Sequence, residues 1–410
     1  MRLQLRNATR LFLISTLLFG FSISIWELFF NLYILSLNIN SEMLGLIRSA
    51  TPLAALILGL PLGLLSDRIG RRTGMLIGLC IGFIGMFFEI HLLNPLLIFL
   101  FGFIQGASFM LYQVAQLPFI MSISKKENQA MIFSLNFGLL TIAFMLGSFA
   151  GGRAPAWLEN WLGILSGTPE SYRWVITTGI LFAFSSLIPI FFINQPETLV
   201  AQSVVHPPFK AIFRRLSNNR VAKRLALTNL VMGLGAALLI PYLNVFLKGK
   251  FNISDEFLGV MFGISSFLVF IGSLIAPRLV KLTHSRIIPT VASQGLSLLF
   301  LFTLGFSPLM WLVSISFLLR NVLMQMATPL LDNFAMIISE PHEQGTIASI
   351  RGMGWQLGQA GGIFISGLVQ ARFGFSPIFI ATGLLYILSI YLTWIYFRPE
   401  EKRAVHASTF

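Results

Sequence analysis

The sequence predicts an all-α membrane protein whose twelve transmembrane helices form two pseudo-symmetric six-helix bundles. Three observations support this fold. The chain of 410 residues is 56% hydrophobic and only 10% charged, with a mean hydropathy of +0.82, whereas about a quarter of the residues in an average soluble protein are charged. Its apolar residues occur in runs long enough to cross a bilayer. A short sequence that follows the first run recurs after the seventh.

Twelve apolar runs supply the predicted helices, because about 20 apolar residues span a hydrocarbon core of roughly 30 Å. They cover residues 11–37, 43–66, 73–93, 96–121, 130–153, 173–194, 222–247, 257–280, 287–306, 309–338, 345–370 and 376–397. Prolines inside several runs are compatible with helix, since membrane helices tolerate them better than helices in water do. The first run is too long for a signal peptide and lacks a small-residue cleavage site, so we expect it to be retained.

Positive charge lies mainly on one side of the predicted membrane. With the amino terminus inside, 20 of the 28 lysines and arginines lie in cytoplasmic segments, five lie opposite and three lie within spans. Cytoplasmic loops are enriched in these residues, so we predict a multi-pass protein of the cell (inner) membrane with both termini in the cytoplasm. The bias also explains the net charge of +13, and no nucleic-acid partner is expected, because that needs a basic face on a soluble domain.

Two segments of the chain are similar. Residues 38–45 read NINSEMLG and residues 252–259 read NISDEFLG, at an offset of 214. At an offset of 215, residues 134–136 (SLN) match residues 349–351 (SIR). Unless these matches arose by chance, they predict an amino-terminal bundle at 1–194, a cytoplasmic linker at 195–220, a carboxy-terminal bundle at 221–397 and a cytoplasmic tail at 398–410. Because each half has an even number of spans, the halves run parallel, an arrangement typical of transporters with a central site.

The loop after the second span carries a compact motif, Gly63-Leu-Leu-Ser-Asp67-Arg68-Ile-Gly70-Arg71-Arg72. Gly63 is expected to permit close helix approach, and Gly70 to allow a tight turn. The arginines are expected to anchor this turn at an anionic leaflet, while Asp67 suits a nearby helix amino terminus or arginine.

In this loop of a twelve-span chain, the pattern G-x-x-x-D-R-x-G-R-R resembles the signature of the major facilitator superfamily, and the chain resembles its bacterial drug-efflux-like branch. The resemblance implies two halves that rock about a central cavity lined by spans one, four, seven and ten. It also implies a gating role for Asp67, Arg68 and Arg71, the alternative being a topology anchor only.

Two features of the sequence, one in span four and one in span five, depart from the family pattern. In span four, Gly102 stands where proton-coupled members carry the arginine of R-x-x-Q-G, which weakens the case for proton antiport. In span five, Gly138, Gly147, Gly151 and Gly152 match the glycine-rich exporter motif only loosely. Small-residue packing explains these glycines better.

Several charged residues fall inside predicted spans, where each needs a partner, a cavity or a role. At 1.5 Å per residue, Glu27 lies ~15 Å and Arg320 ~17 Å from the outer ends of their spans, so we expect them to pair or to share a substrate, unless each is buried alone. Asp332 and Arg351 lie at one depth on adjacent spans and predict an ion pair, either a fixed brace or a state-dependent gate.

Other charged residues lie near the outer helix ends, where side chains can reach the interface. We expect structural roles for this group, which comprises Arg48, Glu89, His91 and Arg153.

Polar residues at helical spacing extend the candidate substrate and coupling site around Glu27 and Arg320. These are Asn31, Gln113, Gln116, Asn244, Gln325 and Trp355. Any one of them can instead form interhelical hydrogen bonds.

The leading functional hypothesis is a secondary active transporter of a small organic solute by alternating access. Export of amphipathic compounds is favoured because the candidate cavity is apolar and has few charges. The alternative is a proton- or cation-coupled importer of a sugar, an organic acid or another metabolite. A channel, which needs a continuous polar lining, and a non-transporting membrane sensor are disfavoured.

An enzyme is not expected. The five histidines lie at or outside helix ends, and neither an H-E-x-x-H site nor a phosphate-binding loop occurs. The single cysteine, Cys80, allows neither a disulfide framework nor a cysteine metal cluster. We therefore expect no cofactor and no metal, and we expect a monomer whose partners are its small-molecule substrate and the lipid bilayer, with protons as a candidate coupling ion.

Overall fold

The computed structural model describes residues 7–124, 128–193, 219–338 and 344–407. Every regular element within these ranges is a helix. The predicted linker at 195–220 lies almost entirely outside the described residues. So do several basic residues assigned to the cytoplasmic side: Arg2, Arg6, Lys125, Lys126, Lys210, Arg214 and Arg215.

The helices follow the apolar runs in chain order. The first half contains α1 (Asn7–Ser36), α2 (Ser41–Ile69), α3 (Arg71–His91), α4 (Pro95–Ile123), α5 (Gln129–Leu162), α6 (Pro169–Phe184) and α7 (Leu187–Phe191). The second half contains α8 (Arg220–Leu239), a 3-10 turn (Ile240–Tyr242), α9 (Leu243–Phe251), α10 (Asp255–Thr283), α11 (Ile287–Phe306), α12 (Met310–Gln325), α13 (Thr328–Ile337), α14 (Gln344–Phe373) and α15 (Ser376–Ala407).

Eleven helical segments in the described part of the chain are long and apolar enough to cross a membrane. The predicted eleventh span coincides with α14, a helix of 30 residues that is not among the eleven. Glutamines and arginines along α14, together with its glycines, lower its hydropathy. Three of the glycines lie at four-residue spacing. A Cβ at Gly354, Gly358 or Gly362 would lie 2.5–2.6 Å from atoms of α8, so these positions are small because the two helices pack closely.

Three predicted spans consist of two or three helical pieces, and proline explains two of the breaks. Pro241 lies in the 3-10 turn between α8 and α9, and Pro329 lies in the first turn of α13. Proline has no N–H to donate and clashes with the preceding helical turn, so it favours a helix start. Pro52 and Pro118, by contrast, lie within continuous helices.

The repeated sequence adopts the same local geometry twice. Asn38 and Asn252 both have positive φ, at 61° and 47°, a conformation that asparagine adopts more readily than most residues. Two residues later, Asn40 accepts a hydrogen bond from the backbone N–H of Met43 at 2.9 Å. Its counterpart, Ser254, accepts one from Phe257 at 3.1 Å. Each copy therefore ends one helix and caps the next in the same way.

The first compact unit comprises α1 to α7 together with residues 244–266. Its core is aromatic and includes the buried side chains of Phe12, Phe83 and Phe119. Glycines let its helices approach closely: a Cβ at Gly106 would lie 2.5 Å from the carbonyl oxygen of Thr51. Residues 244–266 belong to the second half of the sequence, yet they pack within this unit.

The second compact unit comprises residues 219–243 and 267–407 of the described chain. Its interior contains many buried hydroxyl and amide side chains in addition to apolar ones. On α11, Thr290, Ser293, Gln294 and Ser297 are all less than 9% exposed. Their spacing of three to four residues places them on one face of the helix.

Candidate functional site

The acidic residue of α1 pairs with an arginine of α2. Arg48 Nη2 donates to Glu27 Oε2 at 2.6 Å, and Nη1 lies 3.5 Å from Oε1. The Arg48 side chain is 14% exposed, whereas that of Glu27 is 46% exposed. Glu27 is nine residues from the end of α1, or roughly 14 Å along the axis. A carboxylate so exposed at this depth needs a water-filled space rather than lipid.

Arg320 has different partners from the one predicted. It is only 1% exposed, and it donates to Tyr386 Oη at 2.7 Å and to Asn321 Oδ1 at 2.9 Å. The structure pairs Glu27 with Arg48 inside the first unit and Arg320 with Tyr386 and Asn321 inside the second, and the Glu27–Arg320 pair stays a prediction. Arg48 lies seven residues into α2, deeper than the interfacial position expected for it, and this depth lets it meet Glu27.

Glu89 also differs from expectation. It does not reach the interface: its side chain is 2% exposed, and Oε1 has no hydrogen-bond partner in the described part of the protein. The carboxylate lies beside Gly102, where a Cβ would be 3.3 Å from Glu89 Oε2. The glycine that replaces the family's arginine therefore makes room for a buried acid.

Asn31 and Asn244, predicted to line the cavity, contact each other within the first unit. Asn31 Nδ2 lies 3.3 Å from Asn244 Oδ1, and Asn244 Nδ2 donates to the carbonyl of Leu28 at 2.9 Å. Both are buried, at 1% and 2% exposure. In this conformation they join the start of α9 to α1.

Sequence reasoning missed a polar cluster that fixes the same segment of the second half. Lys248 is ion-paired with Asp255 and donates to Tyr172 Oη at 2.5 Å, while Tyr172 Oη lies 3.2 Å from Asp255 Oδ1. Glu256, the residue that follows Asp255, accepts a hydrogen bond from Arg153 at 2.8 Å. The signal was present, because Asp255 and Glu256 lie inside the repeated sequence.

The remaining candidate residues divide by exposure. Gln113 of α4 is exposed, whereas Gln116 is half-buried and donates to Tyr112 Oη at 2.9 Å. In the second unit, Gln325 is exposed at the end of α12, and Trp355 is 37% exposed on α14. The substrate roles of Gln113, Gln325 and Trp355 stay predictions.

The predicted Asp332–Arg351 ion pair is present. Arg351 Nη2 donates to Asp332 Oδ1 at 2.6 Å, with side-chain exposures of 13% and 57%. The pair joins α13 to α14 within the second unit. Its role, as a fixed brace or a state-dependent gate, stays a prediction.

The signature loop confirms one expectation for glycine and contradicts another. Gly70 has φ of +88° and separates α2 from α3 in a tight turn. Gly63 meets no atom within 4 Å of its missing Cβ, so the expected close helix approach is wrong. Asp67 is half-buried and Arg68 is exposed.

The following arginines bind backbone carbonyls. Arg71 Nη1 donates to Pro118 at 3.2 Å, and Arg72 donates to Ile190 at 3.1 Å and to Phe191. Arg72 thereby stabilises the carboxyl end of α7, where partial negative charge accumulates.

One cleft of about 490 Å³ opens at the end of α1 and the start of α6 in the first unit. Its lining includes Tyr33, Leu37, Glu170 and Arg173. Because Leu37 lies beyond the last residue of α1, this cleft is at the helix ends and is separate from the candidate site at Glu27.

Comparisons with known proteins agree with the fold and the signature. The chain is 24% identical over 401 residues to multidrug resistance protein MdtG of Dickeya zeae (strain Ech586), covering 94% of this chain and 93% of that protein. It superposes on the nucleoside transporter NupG with a TM-score of 0.73 at 14% identity, covering 95% of this chain and 98% of that one. For a D-xylose-proton symporter the TM-score is 0.71 at 14% identity, with coverages of 95% and 97%.

The sequence profile of the Major Facilitator Superfamily matches residues 12–363 and, in a second alignment, residues 225–409. The match covers most of the chain, and the chain is an integral, multi-pass membrane protein of this transporter fold. It therefore belongs to the Major Facilitator Superfamily.

Proposed function

We propose that this protein is a secondary active transporter that exports amphipathic organic compounds, cationic ones in particular, by alternating access. In this proposal it is a monomer with twelve spans in two six-helix halves related by a pseudo-twofold axis, and both termini are cytoplasmic. The repeated helix-ending geometry at Asn38 and Asn252 supports the pseudo-symmetry, and the distribution of Lys and Arg supports the orientation.

The observation that carries the proposal is the half-exposed carboxylate of Glu27, nine residues before the end of α1. Trp26 and Phe30 of the same helix stack with ring centroids 4.3 Å apart, and both are buried, so they pack behind the carboxylate in the core. An accessible negative charge on an otherwise apolar helix suits a hydrophobic cation. The similarity to a multidrug resistance protein supports the same direction of transport and the same substrate class.

Transport of a fluorescent lipophilic cation by reconstituted vesicles tests this function. We expect the wild type to move the dye against its gradient and Glu27→Gln to slow it at least ~10-fold, because the neutral amide loses the attraction of a charge in a low-dielectric site. Glu42→Gln is the matched control, since Glu42 is exposed in the first turn of α2. A wild type that does not move the dye contradicts the proposal.

A double variant separates substrate binding from bracing. If Glu27 only neutralises Arg48, then Glu27→Gln with Arg48→Gln should restore dye transport by removing both charges. If Glu27 binds the cation, the double variant should remain as slow as the single one.

The importer alternative, for a sugar, an organic acid or another metabolite, is less favoured for anionic solutes in this conformation. An organic anion would be held by Arg320, which is only 1% exposed with Tyr386 as a hydrogen-bond partner. The same vesicles, given a radiolabelled sugar or organic acid and an inward proton gradient, test this alternative directly. Uptake of that solute without dye transport would replace the export proposal.

A further inference from the structure

Arg320 carries a positive charge in the interior of the second unit and has no acidic partner among the described residues. The groups that it contacts are neutral: Asn321, and the hydroxyl and ring of Tyr386. Its Nε is buried and has no hydrogen-bond partner within the described residues. Burying an uncompensated charge costs several kcal/mol, so such groups are normally paired.

The described acids of the second half already have cationic partners. No Asp or Glu occurs in α8, α11, α12 or α14. The described acids after residue 219 are engaged by other cations, in the pairs Lys248–Asp255, Arg153–Glu256, Arg351–Asp332, Arg224–Glu400 and Arg398–Glu401. Within the described part of the second half, no acid is therefore left to neutralise Arg320, and a bound anion can supply the missing negative charge.

Two buried hydroxyl groups on α12 and α15, the helices that carry Arg320 and Tyr386, are equally unsatisfied. Ser316 Oγ and Thr382 Oγ1 have no hydrogen-bond partner among the described residues, at 1% and 0% exposure. By contrast, Ser314 on α12 and Thr303 on α11 donate to the carbonyl four residues earlier, at 2.9 and 2.8 Å. The hydroxyl protons of Ser316 and Thr382 are free to bind something else.

Helix geometry brings these groups together. Ser316 and Arg320 are four residues apart on α12, and Thr382 and Tyr386 are four apart on α15, so each pair shares a helix face. The Arg320–Tyr386 hydrogen bond joins the two faces. Both hydroxyls lie six residues from the start of their helix, and side chains lean toward the helix amino terminus, so the guanidinium extends toward the level of the hydroxyls.

We propose that the second unit binds a small inorganic anion of the chloride type between α12 and α15. Arg320 Nε and the hydroxyls of Ser316 and Thr382 are its donors. One monovalent anion neutralises one guanidinium, and the burial of all three groups favours an ion of atomic size over an organic solute. This inference goes beyond the proposed transport function and does not depend on it.

Binding can be measured on the purified full chain without any transport assay. Chloride is titrated against sodium gluconate at constant ionic strength, with thermal unfolding and equilibrium dialysis of radioactive chloride as readouts. We expect saturable binding of about one chloride per chain and a rise in Tm of about 2–4 °C, because a ligand that binds only the folded state stabilises it. No saturable binding by the wild type overturns the proposal.

Matched hydroxyl variants locate the site. Ser316→Ala with Thr382→Val removes the two unsatisfied hydroxyls and should weaken chloride binding at least ~10-fold, since each lost hydrogen bond to a charged group costs about 1.5–3 kcal/mol. Ser314→Ala with Thr303→Val makes the same chemical change at hydroxyls that bond to their own helices and should leave the affinity unchanged. Equal affinities in the two double variants contradict the assignment.

Variants of two arginines provide a second test of the anion site. Arg320→Gln should abolish the chloride-dependent rise in Tm, whereas Arg372→Gln, an exposed site on α14, should retain it. If Arg320→Gln does not fold, the two hydroxyl double variants still test whether chloride binds at this site. Competition by acetate or lactate at concentrations equal to chloride would overturn the small-anion assignment in favour of an organic carboxylate.

Discussion

Glu400 and Glu401 are neighbours on α15, yet their surroundings differ sharply. Glu401 is 5% exposed, and its carboxylate accepts hydrogen bonds from Ser285 Oγ at 2.6 Å, from the backbone N–H of Arg286 at 2.5 Å and from Arg398 at 2.8 Å. Glu400 is 26% exposed and pairs with Arg224 at 3.3 Å. A single carboxylate thus holds the start of α11 to α15.

We expect Glu401→Ala to lower the free energy of unfolding by about 2–4 kcal/mol, because it leaves buried donors and Arg398 without an acceptor. Glu400→Ala is the control and should cost less than about 1 kcal/mol, as for a partly exposed ion pair. Denaturant or thermal unfolding in detergent measures both. Equal losses for the two variants would show that the carboxylate network at Glu401 does not stabilise the fold.

Glu89 and Glu401 are both buried acids, but only Glu401 has its oxygens occupied by donors. Because Glu89 Oε1 has no partner among the described residues, a neutral amide of the same shape should fit: we expect Glu89→Gln to cost less than about 1 kcal/mol. Glu401→Gln should cost more, since its new NH2 group would face existing donors. The same unfolding measurement compares them, and a larger loss at Glu89 would reveal an ionic role there.

At the scale of elements, glycine positions decide how closely two helices pack. A Cβ at Gly259 of α10 would lie 2.7 Å from the Cα of Gly152 on α5, so the two backbones touch where both residues are glycine. Gly249 of α9 is a useful contrast, because nothing lies within 4 Å of its missing Cβ. Both glycines are in helices and have negative φ.

Gly259→Ala should therefore destabilise the protein by about 1–3 kcal/mol through overpacking. Gly249→Ala should be neutral or stabilising by up to about 1 kcal/mol, because alanine is the better helix former. Thermal unfolding of the two variants against the wild type tests the contrast. A Gly259→Ala protein as stable as the Gly249→Ala protein would mean that the α5–α10 contact is not tight.

At the scale of the whole molecule, residues 244–266 belong by sequence to the second half but pack with the first. The Arg153–Glu256 pair and the Tyr172–Lys248–Asp255 cluster hold them there. Alternating access about a pseudo-twofold, which is part of the proposed function, requires this segment to separate from the first-half helices during each cycle.

We expect a short thiol-to-thiol cross-link between Arg153→Cys and Glu256→Cys, in a Cys80→Ser background, to abolish dye transport. The ion-paired positions Arg224 and Glu400 lie within the second unit, and cross-linking the corresponding cysteine pair there should leave most of the transport intact. Transport rates before and after cross-linking give the comparison. Undiminished transport through the first cross-link would contradict the required separation.

The sequence by itself determined the features that depend on position along one helix. Hydropathy determined the membrane class and nearly all the spans, and depth along neighbouring helices predicted the Asp332–Arg351 pair. The repeated segment predicted two similar halves, and its two copies cap the following helices in the same way at Asn40 and Ser254. These properties follow from composition and from a fixed rise per residue.

Only the tertiary structure decided which helix faces meet. Depth along a helix did not determine the partner of Glu27, because both Arg48 and Arg320 lie within their spans. Helix packing placed Glu27 beside Arg48. Packing also left Gly63 without a neighbour within 4 Å of its missing Cβ, buried Glu89 beside Gly102, and buried Arg320 against Tyr386. The physical reason is that rotation of a helix about its own axis is determined by close contacts between small residues on different helices, and those contacts join positions that are far apart in the chain.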